Sequence, residues 1–521
     1  MSVRSAILPI AVLVFTASGK SAPGPLSTGE IRLPRIFGDH MVLQRDREVP
    51  IFGKADPGVE VLASIDGKSV KTKTGPEGRF TLLLPAHGAG GPFNLELRTS
   101  TGAALVLHDL LFGEVWLCSG QSNMTFALRK AKGGAEAIAG SEDPEFRLFT
   151  VKREASMRPR SDCEGEWVRA GPRTAPGFSA VAFFFGRELR RALRVPVGLI
   201  HASWGGTAVE AWTSLPSLEG ETGAREMLRR WKTIDERWPA RRKEFDRKLA
   251  AWRLAVGEAR KKGRRPPRKP RPPLGPEDKN HPAVLYNGMI HPIRPFAIRG
   301  VIWYQGERNA SRPSEYRALF PLLIRDWRRL WSLPPFASPG DRIRRPRTFP
   351  FLYVQLAAFE AGSRDWAELR DAQASALSLP ETGMATAIDV GNPRNIHPID
   401  KETVGHRLAL LIRAKVYGER DLVCTGPVLS GVKRKGKTLV LSFRSIGSGL
   451  VAKHLPMTGF EIAGRDRRFR NAEARIEGDT VVLTAEGSAR PKYARYLWSN
   501  APKASLYNAE GLPAFPFRTD R

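Results

Sequence analysis

Glu114-Val115-Trp116-Leu117-Cys118-Ser119-Gly120-Gln121-Ser122-Asn123-Met124 is the stretch on which the architecture turns. Its first half is apolar and β-prone, and the residues after it are compatible with a helix. A Gly-x-Ser turn between a buried strand and a helix lifts one hydroxyl to the carboxyl edge of a parallel sheet. The helix N-terminus then points N–H groups at any negative charge that forms there. Ser122 is therefore the candidate nucleophile, and its neighbours Gln121 and Asn123 are candidate substrate contacts. A serine after a glycine is by itself more often a turn or an N-cap than a catalyst. The reading depends on what stands at the ends of the other strands.

Working outward, strand-like apolar runs alternate with helical stretches from about residue 111 to 420. Phe178-Ser179-Ala180-Val181-Ala182-Phe183-Phe184-Phe185-Gly186 is one such run and leads into helical signals at Arg187 to Leu193. Residues 195–202, 300–304, 351–356 and 384–389 read as further strands. Buried strands between helices indicate an α/β domain with a parallel sheet covered on both faces. Ligands of such sheets sit at the carboxyl ends of the strands.

Three further stretches follow strand ends. Ala202-Ser203-Trp204-Gly205-Gly206-Thr207 offers Gly205 or Gly206 as a position where a backbone N–H approaches a substrate oxygen closely. Trp303-Tyr304-Gln305-Gly306-Glu307 offers the Gln305 amide as an oxyanion donor and Glu307 as a carboxylate to orient a histidine or bind a sugar hydroxyl. Asp389 to Pro398 carries His397 on a loop just ahead of an amphipathic helix marked by Val404, Leu408, Leu411 and Ile412, with Asp400 as its N-cap. Of nine histidines, only His201, His291 and His397 follow predicted strands or lie in motif-like loops. His291 joins the substrate-binding candidates. Together these residues point to acyl transfer: Ser122 attacks a carbonyl, His397 takes its proton, and Gly205 or Gly206, Gln305 and the Ser122 N–H hold the oxyanion. No Cys/His cluster indicates a metal, and no phosphate loop or dinucleotide fingerprint indicates a cofactor.

The flanks read differently. Residues 30–110 consist of short alternating runs punctuated by Asp66-Gly67 and Pro76-Glu77-Gly78, the pattern of a β-sandwich. Residues 421–521 return to strand and turn signals and read as a second all-β region. In it Lys437 to Phe443 is expected to pair with Thr480 to Thr484. Residues 221–280 interrupt the central domain. Their first part is helical in pattern, with Met227, Trp231, Trp238, Phe245 and Trp252 on a rough apolar stripe. Their second part, Lys261 to Pro273, reads as an extended solvated loop of Arg, Lys and Pro.

A chain of 521 residues exceeds one core. Its 41% hydrophobic and 26% charged content is ordinary for a globular protein. The net charge of +30 is not, and the stretch from Arg225 to Arg271 contributes roughly +13 of it. Such an excess leans towards an anionic polysaccharide or cell envelope, attracted over a range that salt shortens. Residues 1–19 have the pattern of a secretory signal: Arg4, the apolar run Ala6 to Phe15, then Ala17-Ser18-Gly19. Export to a periplasm or the outside follows, and nucleic acid is not an expected partner. No later stretch is long and apolar enough to span a bilayer. Three cysteines rule out a disulfide scaffold. Whether Cys163 and Cys424 pair stays open.

"GEVWLCSGQSNM", "WGGTAVEAW", "LYNGMIHP", "GVIWYQGERNA" and "NIHPIDKETVGHRLAL" together resemble the bacterial sialate O-acetylesterases, within the wider SGNH-type acetylesterases that include acetylxylan esterases. "IFGDHMVLQRDREVPIFGKADPG" near the start and "LYNAEGLPAFPFRTD" near the end are similar too, so only the basic insertion falls outside the match. The resemblance implies an SGNH-type three-layer α/β hydrolase domain flanked by β-modules. It implies a serine esterase removing O-acetyl groups from carbohydrate, sialate 9-O-acetylesterase-like, with Ser122 and His397 in its catalytic positions. Many relatives read Asp-Ile-His-Pro where this chain has Asn395-Ile396-His397-Pro398, and Arg394 stands three residues before His397. The third triad member is therefore open between Glu307, Asp389 and a dyad whose ring is oriented by a backbone carbonyl. Two rival readings are an acetylesterase for xylan or another polysaccharide, and a non-catalytic carbohydrate-binding protein on the same scaffold.

Overall fold

The computed structural model describes residues 29–336, 348–362, 365–485 and 490–521. The expected secretory signal lies outside the described residues.

Seven strands open the chain: β1 (Val42–Gln44), β2 (Val49–Lys54), β3 (Glu60–Ile65), β4 (Lys68–Lys73), β5 (Arg79–Leu84), β6 (Gly90–Thr99) and β7 (Ala104–Gly120). β2 and β5 form an antiparallel pair, and β3 joins β4 to β6. Alternate residues such as Val61, Ala63, Leu82, Leu84, Leu95 and Leu97 are buried, as period-two patterning dictates. The expected boundary at residue 110 falls inside a single strand. The first part of β7 pairs with β6 and β1, and its second part pairs with the strands of the central sheet.

The central elements are α1 (Ser122–Thr125), α2 (Gly134–Ala139), β8 (Asp143–Thr150), β9 (Trp167–Ala170), α3 (Ala180–Leu193), β10 (Val197–Ser203), α4 (Leu215–Gly220), α5 (Arg225–Lys261), β11 (Gly300–Tyr304), α6 (Pro313–Trp331), β12 (Phe351–Gln355), α7 (Trp366–Ala374), β13 (Thr382–Thr386) and α8 (Glu402–Lys415). The sheet order is β13-β12-β11-β7-β10-β8-β9, parallel except for β9. Every parallel strand therefore ends at the same edge. One face is covered by α3 and α8, with Trp116 edge-on to Phe185 at 5.5 Å. The other is covered by α6, whose Phe320 and Trp327 pack on Trp303 and Tyr353. The run from Phe178 to Gly186, read as strand-like, is instead the first half of α3. Residues Ala180 to Gly186 are all buried, because the helix is held between sheet and α8. A helix covered on all sides loses its one-sided apolar period and cannot be told from a buried strand by pattern.

The insertion is an arm. α5 has 37 residues and is about 55 Å long, with only Met227 and Trp231 buried. The Pro-rich segment runs back along it: the Trp252 indole donates to the Pro267 carbonyl at 2.8 Å, and His281 meets Asp235 at 2.9 Å.

The C-terminal elements are β14 (Val428–Lys435), β15 (Thr438–Arg444), β16 (Leu450–Ala452), β17 (Phe460–Ala463), β18 (Arg470–Asn471), β19 (Glu473–Glu477), β20 (Thr480–Thr484), β21 (Tyr493–Tyr496), β22 (Leu506–Asn508) and β23 (Phe517–Arg518). β15 pairs with β20, as the sequence predicts. This module has its own apolar core, which takes in Ile388 from the central domain. It is docked by Arg370 of α7, which is fully buried and donates to the carbonyls of Leu497, Ser499 and Asn500. Cys118, Cys163 and Cys424 are all free thiols.

The junction inside β7 is held by charge. Glu114 has no exposed side-chain surface and accepts from Arg45 at 2.7 Å, from Arg299 at 2.8 and 3.1 Å, and from Gln44 at 3.2 Å. Burial works against the carboxylate, but the guanidinium groups of Arg299 and Arg45 outweigh it and hold the carboxyl below its ordinary range. We expect Glu114→Ala to lower stability by about 3–5 kcal/mol, since it strands two partly buried cations, read as a drop in the denaturation midpoint. The folded-state carboxyl titrates below the unfolded one. Its contribution is therefore complete above the unfolded range and fades as pH falls through the depressed value. The gap between variant and wild type should close in acid.

Candidate active site

β7 stops at Gly120 for a steric reason. Its φ is +136°, and a Cβ there would lie 2.2 Å from the Tyr304 carbonyl oxygen at the end of β11. Gln121 is extended (φ −115°, ψ −150°), and Ser122 begins α1. The expected helix is a single turn, because Phe126 leaves helical geometry (φ −54°, ψ 116°) and Ala127 bridges to Ser179. Its first N–H groups act as local donors and not through an extended dipole. The N–H groups of Met124 and Thr125 return to the Gln121 carbonyl at 2.9 Å each. That of Ser122, the first helical residue, has no intrahelical acceptor.

The turn after β10 lies against this serine. A Cβ on Gly205 would sit 3.2 Å from the Ser122 Cβ, so this is the glycine that lets the backbone come close. Gly206 is in the left-handed region (φ +71°) and exposed. Behind the turn is a buried polar lattice. The Gln305 amide donates to the Thr207 carbonyl at 3.1 Å and to Asn309 Oδ1 at 2.8 Å. Asn309 accepts from the Val209 N–H at 3.0 Å and donates to Glu210 at 2.9 Å, and Glu210 also takes Arg312 at 3.0 Å. Both amide hydrogens of Gln305 are thus committed, and the residue is fully buried. It ties two loops together and is not placed to donate to an oxyanion. Gln121 is likewise a brace: its Oε1 accepts from the N–H groups of Gly306 at 3.4 Å and Arg308 at 3.2 Å. His291 is elsewhere, its Nδ1 at 2.7 Å from the Arg160 carbonyl and its ring edge-on to Tyr286. It is packing, not substrate contact.

His397 is positioned by its own loop. Asn395 Oδ1 accepts the His397 N–H at 2.9 Å, a local Asx turn. Asn123 Nδ2 donates to the Ile396 carbonyl at 3.0 Å, pulling that loop onto the Ser122 turn. The same nitrogen donates to Glu307 Oε1 at 2.5 Å, and Lys401 Nζ donates to Asn123 Oδ1 at 2.5 Å. The Lys401 ammonium lies against the rings of Phe126 and Tyr304, at 5.0 and 5.3 Å. Burial pushes Lys401 down to about 7 and raises the Glu307 carboxyl. Asn123 is therefore a buried clamp, not a surface contact.

Neither proposed acid meets the histidine. Glu307 is bound to Asn123, and its Oε2 is buried without a partner among the described residues. Asp389 forms a bidentate pair with Arg407 at 2.6 and 2.8 Å and accepts from Tyr507 at 3.4 Å, which ties α8 to the C-terminal module. Among the described residues the His397 ring hydrogen-bonds no carboxylate and no backbone carbonyl. It is half-buried, and burial, together with the nearby Lys401 charge, lowers its pKa. The Asp400 carboxylate accepts the Thr403 N–H at 3.0 Å and so caps the helix that follows.

Ser122, His397 and Gly205 line one cleft of ≈ 890 Å³ at the carboxyl edge of the sheet. The cleft wall carries Arg129, Lys130, Lys152, Arg153 and Lys279, and no Asp or Glu. Lys279, at the return end of the arm, donates to the Gly205 carbonyl at 2.6 Å and lies over the Trp204 ring at 5.7 Å. Burial lowers its pKa. His201 is pushed down to about 4 by burial and then by Arg153, and its Nε2 meets Ser203 Oγ at 2.6 Å. Sequence reasoning missed Lys279 and Lys401. In a chain with 83 Lys and Arg residues, no local signal singles out two of them.

No family model matches the chain. A protein of Mus musculus named sialate O-acetylesterase is 31% identical over 531 residues, covering 93% of this chain and 94% of its own length. The protein of the same name from Rattus norvegicus is 31% identical, with the same coverage. The crystal structure of a carbohydrate acetylesterase from Xanthomonas citri matches with a TM-score of 0.77 and 38% identity, covering 94% of this chain and 99% of that one. These likenesses extend through both flanking β-modules as well as the sheet that carries Ser122, and they establish that the chain belongs to the sialate O-acetylesterase family and is a carboxylic ester hydrolase.

Proposed function

We propose that this chain is an SGNH-type serine esterase that releases acetyl groups from hydroxyls of negatively charged sugars, after export to the periplasm or the outside. The reading is supported above all by the cleft that Ser122, His397 and Gly205 share. Ser122 Oγ attacks the acetyl carbonyl carbon while His397 accepts its proton. The N–H groups of Ser122 and Gly205 face the oxygen on which charge develops. His397 returns the proton to the departing sugar oxygen, and water then cleaves the acetyl-serine with His397 again as base. The lowered pKa of His397 keeps the ring in its free-base form at neutral pH. No carboxylate is needed to hold the ring if the Asn395 and Asn123 clamps fix its loop.

The sugar class follows from the cleft wall, where, among the described residues, five cations and no carboxylate line the cleft and Lys152 alone is ion-paired, with Glu164 outside the lining. A carboxylate on the sugar, as in sialate, or on a uronic polysaccharide is attracted there, and neutral xylan gains nothing from it. Export is supported by the pattern of residues 1–19, and among the described residues no helix is long and apolar enough to cross a membrane. The alternative, a carbohydrate-binding protein without turnover, is favoured by one observation: among the described residues the His397 ring has no acidic hydrogen-bond partner.

Ser122→Ala should lower acetate release from a generic acetyl ester by at least about 10³-fold; full activity in this variant would sink the mechanism. Gly205→Ala crowds the Ser122 Cβ and should cost about 10–100-fold in kcat, since small misplacements at a nucleophile are expensive. The pH profile of kcat/KM should rise on an acid limb below the ordinary histidine range and stay flat above it. Lys401→Met removes a positive charge beside His397 and should move that limb to higher pH, a shift that a purely structural defect would not produce.

A further inference from the structure

The C-terminal module carries a second groove, of ≈ 940 Å³, larger than the cleft at Ser122. Arg434 reaches it from β14, Arg465 and Arg468 from the turn after β17, and Arg490 and Lys492 from the approach to β21. Among the described residues the only carboxylate in its lining is Asp466, whose Oδ1 accepts the Arg468 N–H at 3.2 Å. A sixth cation, Arg470 of β18, also lines it; all six are exposed, and Arg434, Arg465, Arg468, Arg490 and Lys492 form no ion pair among the described residues.

The high net charge of the chain leaves exposed cations elsewhere too, and the concave setting is what distinguishes this group. On the arm, Arg229 pairs with Glu226, Arg247 and Lys248 with Glu244, and Arg242 with Asp246 and Glu277, whereas Arg264, Arg265, Arg268 and Lys269 form no ion pair among the described residues and lie along an extended exposed segment. The hollow at the start of α8 holds Glu188, Asp400 and Glu402 against Lys132 and His406. In the C-terminal groove the cations outnumber the one described carboxylate and share a single concavity. Gathering like charges in one concavity costs self-repulsion, which a polyanion removes.

We infer that this groove is a binding site for an anionic polysaccharide, gripping its carboxylate or sulfate groups at a distance from the site of ester cleavage. A nucleic acid fits less well. The one aromatic ring in the groove, Tyr493, is taken by Lys492 at 4.8 Å and Arg467 at 5.6 Å, which leaves no platform for stacking bases. The choice of a sugar polymer rests on the carbohydrate reading above; the affinity for a polyanion does not.

The test uses the full chain carrying Ser122→Ala, so that binding is read without turnover. Affinities for polygalacturonate, dextran sulfate, neutral dextran and a single-stranded DNA oligonucleotide are measured by titration calorimetry at low salt. The groove variant adds Arg434→Ala, Arg468→Ala and Lys492→Ala. The control instead adds Arg229→Ala, Arg247→Ala and Lys248→Ala on the arm, an equal change in charge. The groove variant should lose roughly tenfold or more in affinity for one or both anionic polymers, with the control within about twofold and both melting near the parent. Preference for polygalacturonate assigns carboxylate, and preference for dextran sulfate assigns sulfate. An unchanged affinity in the groove variant, an equal loss in the control, equal binding of neutral dextran, or tighter binding of DNA would overturn the proposal. Failure of the esterase reading would appear separately, as no acetate release from the wild type or as activity surviving Ser122→Ala.

Discussion

A carboxylate sealed from water inside β7 sets the frame for everything else. Glu114 stands where one strand leaves the N-terminal module and enters the central sheet. Arg45 reaches it from the first module and Arg299 from the segment just before β11. A charge this deep is tolerated only with its partners in place, so the pair of guanidinium groups fixes the angle and register at which the two bodies meet. Six residues further along the same strand comes Gly120, and then the turn that carries Ser122. The position of Ser122 is thus tied to an interaction in the middle of the strand that leads to it.

The second constraint is polar and lies directly behind the reactive edge. Asn123, Glu307 and Lys401 come from three separate loops and meet in a buried cluster. Asn123 directly follows Ser122, and it donates to the carbonyl of Ile396, the residue directly before His397. One amide therefore couples the segments that carry Ser122 and His397. The lattice of Gln305, Asn309, Glu210 and Arg312 does the same for the Gly205 turn. Each lattice ties its loops through several buried hydrogen bonds, which stiffen a site, although Glu307 Oε2 and Gln305 Oε1 have no partner among the described residues.

The alternation of apolar runs and the Gly-Ser turn made the sheet and its reactive edge legible in the sequence, because a parallel sheet ends all its strands on one side. The pairing of β15 with β20 was legible for a similar reason: two period-two runs flank a Gly-Asp turn. α3 was misread because burial on every side erases its helical period. Gln305 was misjudged on a different ground. It does follow a strand, but the direction of an amide is decided by Thr207 and Asn309, nearly a hundred residues and four residues away. The fate of Asp389 was equally hidden, since its partners Arg407 and Tyr507 arrive from α8 and from the last module. Motif reading finds which residues gather at an edge. Which of them spend their hydrogen bonds on each other is a property of three-dimensional neighbours.

Arg370 gives the C-terminal module a status that strand patterns alone do not convey. Its side chain has no contact with solvent, and burial brings the guanidinium down to about 9. The oxygens that compensate it belong to main-chain groups from 497 to 500. A chain truncated near residue 420 would leave that cation facing a dry surface with nothing to accept its protons. The central sheet and the C-terminal module are thus bound through a cation that neither can leave bare, and shortening the chain at that point calls for a redesign of α7.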